Sequence, residues 1–149
     1  METNKTLATE DTVASWQNLF RDTERRDSEL EFYTDEIHFL KNLLDRYLLW
    51  LMEEESLAAI QVISSSLKKT EEDCKNIMQA NISTRTRLGL LMENPFSQDE
   101  YKIKSDFRLD GEKIESLALD MKSVKTEIFK LVEQCFRTEK ARKLIGTPK

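Results

Sequence analysis

The sequence predicts an all-α protein, an elongated up-down-up antiparallel bundle of three helices with coiled-coil-like packing. Apolar residues recur at alternating steps of three and four in three separate stretches, which is the spacing of one helix face. The apolar stripe changes phase between the first two stretches, which indicates a reversal of the chain. Three glycines, two prolines and a charged fraction of 34% favour long helices over a strand-rich fold.

The first helix is predicted over residues 12–53, after a disordered tail at 1–11 that has no periodic apolar pattern. Its apolar frame ends at Leu51, and the next stripe begins nine residues later at Ile60. Nine residues are two more than a heptad, and two residues at about 100° each rotate the stripe by roughly 200° around a helix. A tight turn near 53–56 would fold the second helix back on the first. The alternative is an unbroken helix of about eighty residues, which would have to dimerise to bury both faces.

The second helix is predicted over residues 56–93, because Asn94-Pro95 disfavours helical backbone at its end. Residues 94–110 are predicted to form a crossover, either extended or with a short helical turn. The segment Ser97-Gln98-Asp99-Glu100 has the form of a helix capping box. Beyond it, however, apolar and charged residues alternate as they do in strands, and Asp110-Gly111 is typical of a turn.

The third helix is predicted over residues 111–145. Its apolar frame is continuous from Ile114, and Gly146 and Pro148 supply a stop signal. Residues 146–149 are predicted to be a tail. The three helices together are predicted to form a single domain over 12–145, a size that can support its own hydrophobic core.

Helices 1 and 3 carry more apolar surface than one buried seam requires, because each has a second stripe beside the first. We expect part of this surface to stay exposed and to bury against a second copy or a partner helix, since contiguous apolar patches mark interaction sites. The alternative is that the two second stripes pack against each other. The predicted interface residues are Phe32, Phe39, Leu43, Trp50, Phe129, Val132 and Phe136.

Polar residues occupy seam positions in the first two helices at levels that antiparallel pairing would bring together. The predicted buried polar layer consists of Thr23, Arg26, Asn81 and Thr84. Buried polar layers can set register at a cost in stability, and a buried arginine requires a carboxylate partner. Asp110 would be that partner if the third helix extends back in phase, and Glu115 or Asp120 would be if it does not.

No catalytic or metal-binding constellation is predicted, and neither is a cofactor. His38 is the only histidine, and Cys74 and Cys135 fall on inward-facing seam positions, so neither a nucleophile with a base nor a metal-ligand set is formed. The net charge of −5 argues against a nucleic-acid partner. No apolar run is long enough to cross a membrane, and the amino terminus lacks a secretory signal, which predicts a cytoplasmic protein.

These features predict a non-enzymatic interaction or scaffold protein that forms a homo-oligomer, a dimer being the simplest, or binds a protein partner. The alternative hypothesis is a bundle that binds a small ligand or anion. In that case the polar layer around Arg26 would be the site, and the crossover at 95–110 would cover it.

Overall fold

Three long α-helices build the described part of the protein. The structure, a computed structural model, describes residues 10–47 and 57–144, with the side chains of 10–47 and 57–137. The helices are α1 (Glu10–Arg46), α2 (Leu57–Glu93) and α3 (Glu100–Leu144). α1 packs on α2 and α2 on α3 in an up-down-up bundle, which confirms the predicted all-α fold.

The chain reverses between α1 and α2, which excludes the unbroken helix. Lys41 Nζ donates a hydrogen bond to the Glu71 carboxylate at 3.3 Å, whereas thirty residues of continuous helix would separate them by about 45 Å. α1 ends at Arg46 in the described residues. The predicted turn at 53–56 lies outside the described residues, as does the predicted end of the first helix at 53.

α3 begins earlier than predicted, so the crossover prediction is wrong for residues 100–110, which are helical. The N-cap is Asp99, whose Oδ1 accepts a hydrogen bond from the backbone N–H of Lys102 at 3.2 Å. The connection is therefore short. At its other end the Ser97 hydroxyl donates to the carbonyl of Leu90 at 3.1 Å, which satisfies one of the last acceptors of α2.

Packing explains why this segment is helical. Ile103, Phe107, Asp110 and Ile114 are spaced by four, three and four residues, so they continue the frame of α3 backwards without a phase change. Ile103 is buried against α1 and α2. Burying a side chain of this size contributes about 2 kcal/mol, which outweighs the roughly 1 kcal/mol penalty of a glycine inside a helix.

The chain divides into two compact units, each built from parts of all three helices. The first comprises Met1–Phe32 and Cys74–Ser116, and the second Tyr33–Asp73 and Leu117–Lys149. An apolar cluster in the first unit contains Trp16, Leu88, Leu91 and Ile103. One in the second unit contains Leu44, Ile60, Leu131 and Cys135.

α1 begins at Glu10, two residues before the approximate start predicted from the sequence. Two acidic residues in the first turn complement the positive end of the helix dipole, which favours an early start. Residues 1–9 and 145–149 lie outside the described part of the chain, and the extent of the tails there stays a prediction. The single domain over 12–145 also stays a prediction.

Candidate functional site

α1 and α3 are parallel neighbours in the second unit, and two contacts define their register. Lys125 Nζ donates to Glu36 Oε2 at 2.6 Å across 89 residues of sequence. The rings of Tyr47 and Phe136 meet edge to face with their centroids 5.1 Å apart, and these residues have the same separation in sequence. A residue of α1 therefore lies level with the residue of α3 that is 89 positions later.

The predicted second stripe divides into buried aliphatic and exposed aromatic members. Val132 is only 7% exposed, so its prediction as an interface residue is corrected to a core position. Leu43, which lies level with Val132, is half-buried. In contrast, Phe39, Phe129 and Phe136 are 55%, 45% and 50% exposed. Within one chain, burial therefore divides the stripe: Val132 lies in the core, whereas the three phenylalanines remain exposed.

The exposed phenylalanines of the second unit form what we call the aromatic surface, defined as Phe39, Phe129 and Phe136. Phe129 and Phe136 are seven residues apart, two helical turns, and so lie on one face of α3. A shallow depression on that face is lined by Thr126, Phe129, Lys130, Val132, Glu133 and Phe136. Of the other predicted interface residues, Phe32 belongs to the first unit and is 60% exposed, and Trp50 lies outside the described residues.

A polar cluster lies in the first unit at the level where the sequence predicted a polar layer. Its buried members are Thr23, Asn81, Thr84 and Asp110. Asn81 Nδ2 donates to the backbone carbonyl of Thr23 at 2.8 Å, which joins α2 to α1. The Thr84 hydroxyl donates to Asp110 Oδ2 at 2.9 Å, which joins α2 to α3. Asp110 enters the cluster because α3 extends back in phase.

Arg26 is the half-buried cation of this cluster. Its Nη1 donates to the carbonyl of Phe107 at 2.9 Å, and its guanidinium lies 3.7 Å above the centre of the Phe107 ring. Burial lowers the pKa of Arg26 from its ordinary value, and the negative charge of Asp110 is the largest effect that opposes this shift. Arg26 therefore has Asp110 as its main electrostatic partner, while its direct hydrogen bond goes to a backbone carbonyl.

Arg87 extends the cluster towards the surface. It donates to the Thr84 hydroxyl at 3.3 Å and to Asp106 Oδ2 at 2.9 Å. Partial burial raises the pKa of Asp106, but hydrogen bonds from Arg87 and Lys102 outweigh this effect, so the pKa lies below its ordinary value. One sequence signal indicates that Asp106 lies beside Asp110 in this cluster. The two aspartates are four residues apart, so they lie on the same face of α3.

Each arginine of the polar cluster has an aspartate partner, which disfavours an anion site. Arg85 pairs with Asp27 at 3.3 Å, so three arginines face three aspartates. The arginines are Arg26, Arg85 and Arg87, and the aspartates are Asp27, Asp106 and Asp110. Asn81 Oδ1 and Asp27 Oδ1 are buried without a hydrogen-bond partner among the described residues. Both atoms are acceptors, and an anion would need donors.

The side chains that a catalytic or metal-binding site would require do not form a cluster among the described residues. His38 is exposed, whereas Cys74 and Cys135 are buried and form no disulfide. Within residues 10–47 and 57–137, whose side chains the structure describes, no group of three or more histidine, cysteine, aspartate or glutamate side chains is placed to hold a metal ion. In the same part of the chain, no helix combines the length and the apolar character needed to span a membrane.

No known family model, curated protein or solved structure matches this chain. The aromatic surface and the polar cluster are therefore the two features from which a function can be inferred.

Proposed function

We propose that this protein is a non-enzymatic helical interaction protein that self-associates through the aromatic surface of α1 and α3. The observation that carries the proposal is the exposure of Phe39, Phe129 and Phe136 on neighbouring helices of one unit. Aromatic residues are enriched among the anchors of protein interfaces, and exposed apolar clusters of this kind mark interaction sites.

The size of the aromatic surface fits a weak dimer. Half of a phenylalanine side chain is about 100 Å², so burying the aromatic surface of two copies removes about 600 Å² from water. At roughly 25 cal/mol per Å² this burial contributes about 15 kcal/mol. Association costs about 4–15 kcal/mol in lost freedom, which leaves a net gain of about 0–11 kcal/mol and favours a dimer that forms only as the protein concentration rises.

The proposed compartment is the cytoplasm, because both cysteines of the chain are buried and form no disulfide. Thiols that persist without forming disulfides are typical of a reducing compartment. The net charge of −5 supports a protein partner rather than nucleic acid.

The alternative function, small-ligand or anion binding at the polar cluster, has less support. Its proposed cover at 95–110 is mainly the first part of α3, which packs into the first unit through Ile103 and Asp110. Arg26 is already occupied by the carbonyl and ring of Phe107. We therefore propose that the polar cluster stabilises the fold and does not bind a ligand.

Light scattering on the full chain tests the proposal. We expect the mass of the wild type to approach twice that of one chain as the concentration rises through the micromolar range. Phe39→Glu and Phe129→Glu should both give the mass of one chain with unchanged helical circular dichroism. Phe96→Glu is the matched control, because Phe96 is an equally apolar side chain, 68% exposed, between α2 and α3. A wild type that stays monomeric, or variants that still dimerise, would contradict the proposal.

A further inference from the structure

Two buried oxygens of the polar cluster lack a hydrogen-bond donor among the described residues. They are Oδ1 of Asp27 and Oδ1 of Asn81. Asn81 is 0% exposed, and its Nδ2 donates to the carbonyl of Thr23 at 2.8 Å. Exchanging the amide oxygen and nitrogen of Asn81 would place two acceptors against each other, so this bond fixes the orientation of the amide. A buried acceptor without a donor is costly, so both oxygens require one.

The two oxygens lie at the same level of facing helices. The Thr23 carbonyl that accepts from Asn81 also accepts the intrahelical hydrogen bond of the Asp27 backbone N–H, because Thr23 and Asp27 are four residues apart in α1. On α2, Arg85 lies about one turn beyond Asn81 and pairs with Asp27 Oδ2 at 3.3 Å. On both helices, therefore, Asp27 is held within about one turn of the Asn81 amide.

A partner for both oxygens must supply two hydrogen-bond donors and be small and neutral. A cation between the oxygens would lie beside the Arg85 guanidinium, which already pairs with Asp27. A water molecule has two O–H donors and no charge. Thr23 and Asn81 are also smaller than the leucine and isoleucine side chains that fill most buried positions, which leaves room for one such molecule.

We infer that α1 and α2 hold one internal water molecule between Asp27 Oδ1 and Asn81 Oδ1. It donates one hydrogen bond to each oxygen and so bridges the two helices within the first unit. Internal water molecules in proteins typically bridge buried polar groups that would otherwise lack a partner. The bridge is part of the fold, in agreement with the structural role proposed for the polar cluster, and it is independent of self-association.

Nuclear magnetic resonance of the full chain tests the bridge. In the wild type we expect a nuclear Overhauser effect between water and the side-chain amide hydrogens of Asn81, with the sign of a long-lived internal molecule. Asp27→Asn should abolish this effect. The new amide can donate to Asn81 Oδ1 in place of the water, while its oxygen still accepts from Arg85. The Thr23 hydroxyl is unchanged in the variant, so a signal relayed through that hydroxyl would persist.

Thermal unfolding gives a second readout with a matched control. Asp27→Asn should keep the melting temperature within about 1 °C of the wild type, because it supplies a donor and loses only a partly exposed ion pair. Asp106→Asn is the control, since Asp106 also pairs with an arginine and its side chain is equally exposed, 24% in each case. Both oxygens of Asp106 already have donors from Arg87 and Lys102. A new amide nitrogen there would face a donor, so the melting temperature should fall by about 2–4 °C.

Three results would overturn the inference. The first is a wild type without the water signal at Asn81, or a signal that persists in Asp27→Asn. The second is an equal fall in melting temperature for Asp27→Asn and Asp106→Asn, which would show that Asp27 Oδ1 does not face Asn81. The third is a wild-type melting temperature that changes when sodium is replaced by potassium or ammonium at constant ionic strength, which would place a cation between the oxygens instead.

Discussion

The side chain of Arg26 fits into the first unit because Gly111 leaves room for it. A Cβ at Gly111 would lie 2.5 Å from Nη2 of Arg26, far inside contact distance. A helix interior normally disfavours glycine by about 1 kcal/mol relative to alanine. The guanidinium instead uses this space to reach the carbonyl and ring of Phe107, so the two residues act as one feature of the fold.

A double-mutant cycle tests this coupling. In an Arg26→Ala background, Gly111→Ala should raise the free energy of unfolding by about 1 kcal/mol, the ordinary gain in helix propensity. In the wild type the gain should be smaller or absent, because the new methyl group displaces the guanidinium from Phe107. Urea denaturation measures both values.

Gly89→Ala is the control for this cycle. A Cβ there would lie 3.7 Å from the Phe20 ring, which is ordinary contact, so its effect should be the same with and without Arg26. Equal gains for Gly111→Ala in both backgrounds would show that Arg26 and Gly111 are independent.

Among the described residues, the only hydrogen bond to the buried carboxylate of Asp110 is donated by the Thr84 hydroxyl. Thr84→Val should lower the free energy of unfolding by about 2 kcal/mol, because it leaves a buried acceptor without its donor. Thr70→Val is the matched control, since Thr70 is equally buried but its hydroxyl donates to the carbonyl of Ser66 in its own helix. We expect that variant to cost less than about 1 kcal/mol. Equal losses in thermal or urea unfolding would contradict a specific role for the Thr84 bond.

At the scale of the helices, the start of α3 depends on contacts with α1 as much as on its own cap. The indole N–H of Trp16 donates to Glu100 Oε2 at 2.8 Å. This hydrogen bond lowers the pKa of Glu100 below its ordinary value, partial burial opposes the shift, and Lys104 adds to the lowering. A carboxylate with a depressed pKa stabilises the fold above its unfolded pKa, and the stability is lost as the pH falls through the folded pKa.

Trp16→Phe should therefore cost stability that depends on pH. At a pH of about 7 the variant loses the hydrogen bond and, with it, the stabilisation of the ionised Glu100 carboxylate. Well below the ordinary glutamate pKa of about 4.3, Glu100 is protonated in both proteins, and the difference in the free energy of unfolding should narrow. Urea unfolding at the two pH values measures this, with Glu100→Gln as the control that removes the titrating group. A difference that is the same at both pH values would contradict the assignment.

At the scale of the whole molecule, the two candidate features lie in different units. The first unit contains the buried polar cluster, and the second contains the aromatic surface that we assign to self-association. Two copies that each carry a net charge of −5 repel one another at long range, but at physiological ionic strength this repulsion is screened beyond about 8 Å. Burial of the aromatic rings can then determine whether the copies meet.

The spacing of apolar residues was sufficient to predict the number of helices, their up-down-up order and the seam that each one buries. This spacing is informative because the helical period places every third or fourth residue on the same side of the helix. Thr23, Asn81 and Thr84 could be placed inside the protein for this reason before any contact was known.

Packing between helices determined the structure of the segments in which local sequence signals conflicted. Residues 100–110 alternate like a strand and end in Asp110-Gly111, yet they are helical because Ile103 and Asp110 are buried between α1 and α2. Likewise, no local pattern separates Val132 from Phe136, because burial depends on which neighbouring helix lies against each one. Local preferences amount to about 1 kcal/mol or less per residue, so burial against a distant part of the chain outweighs them.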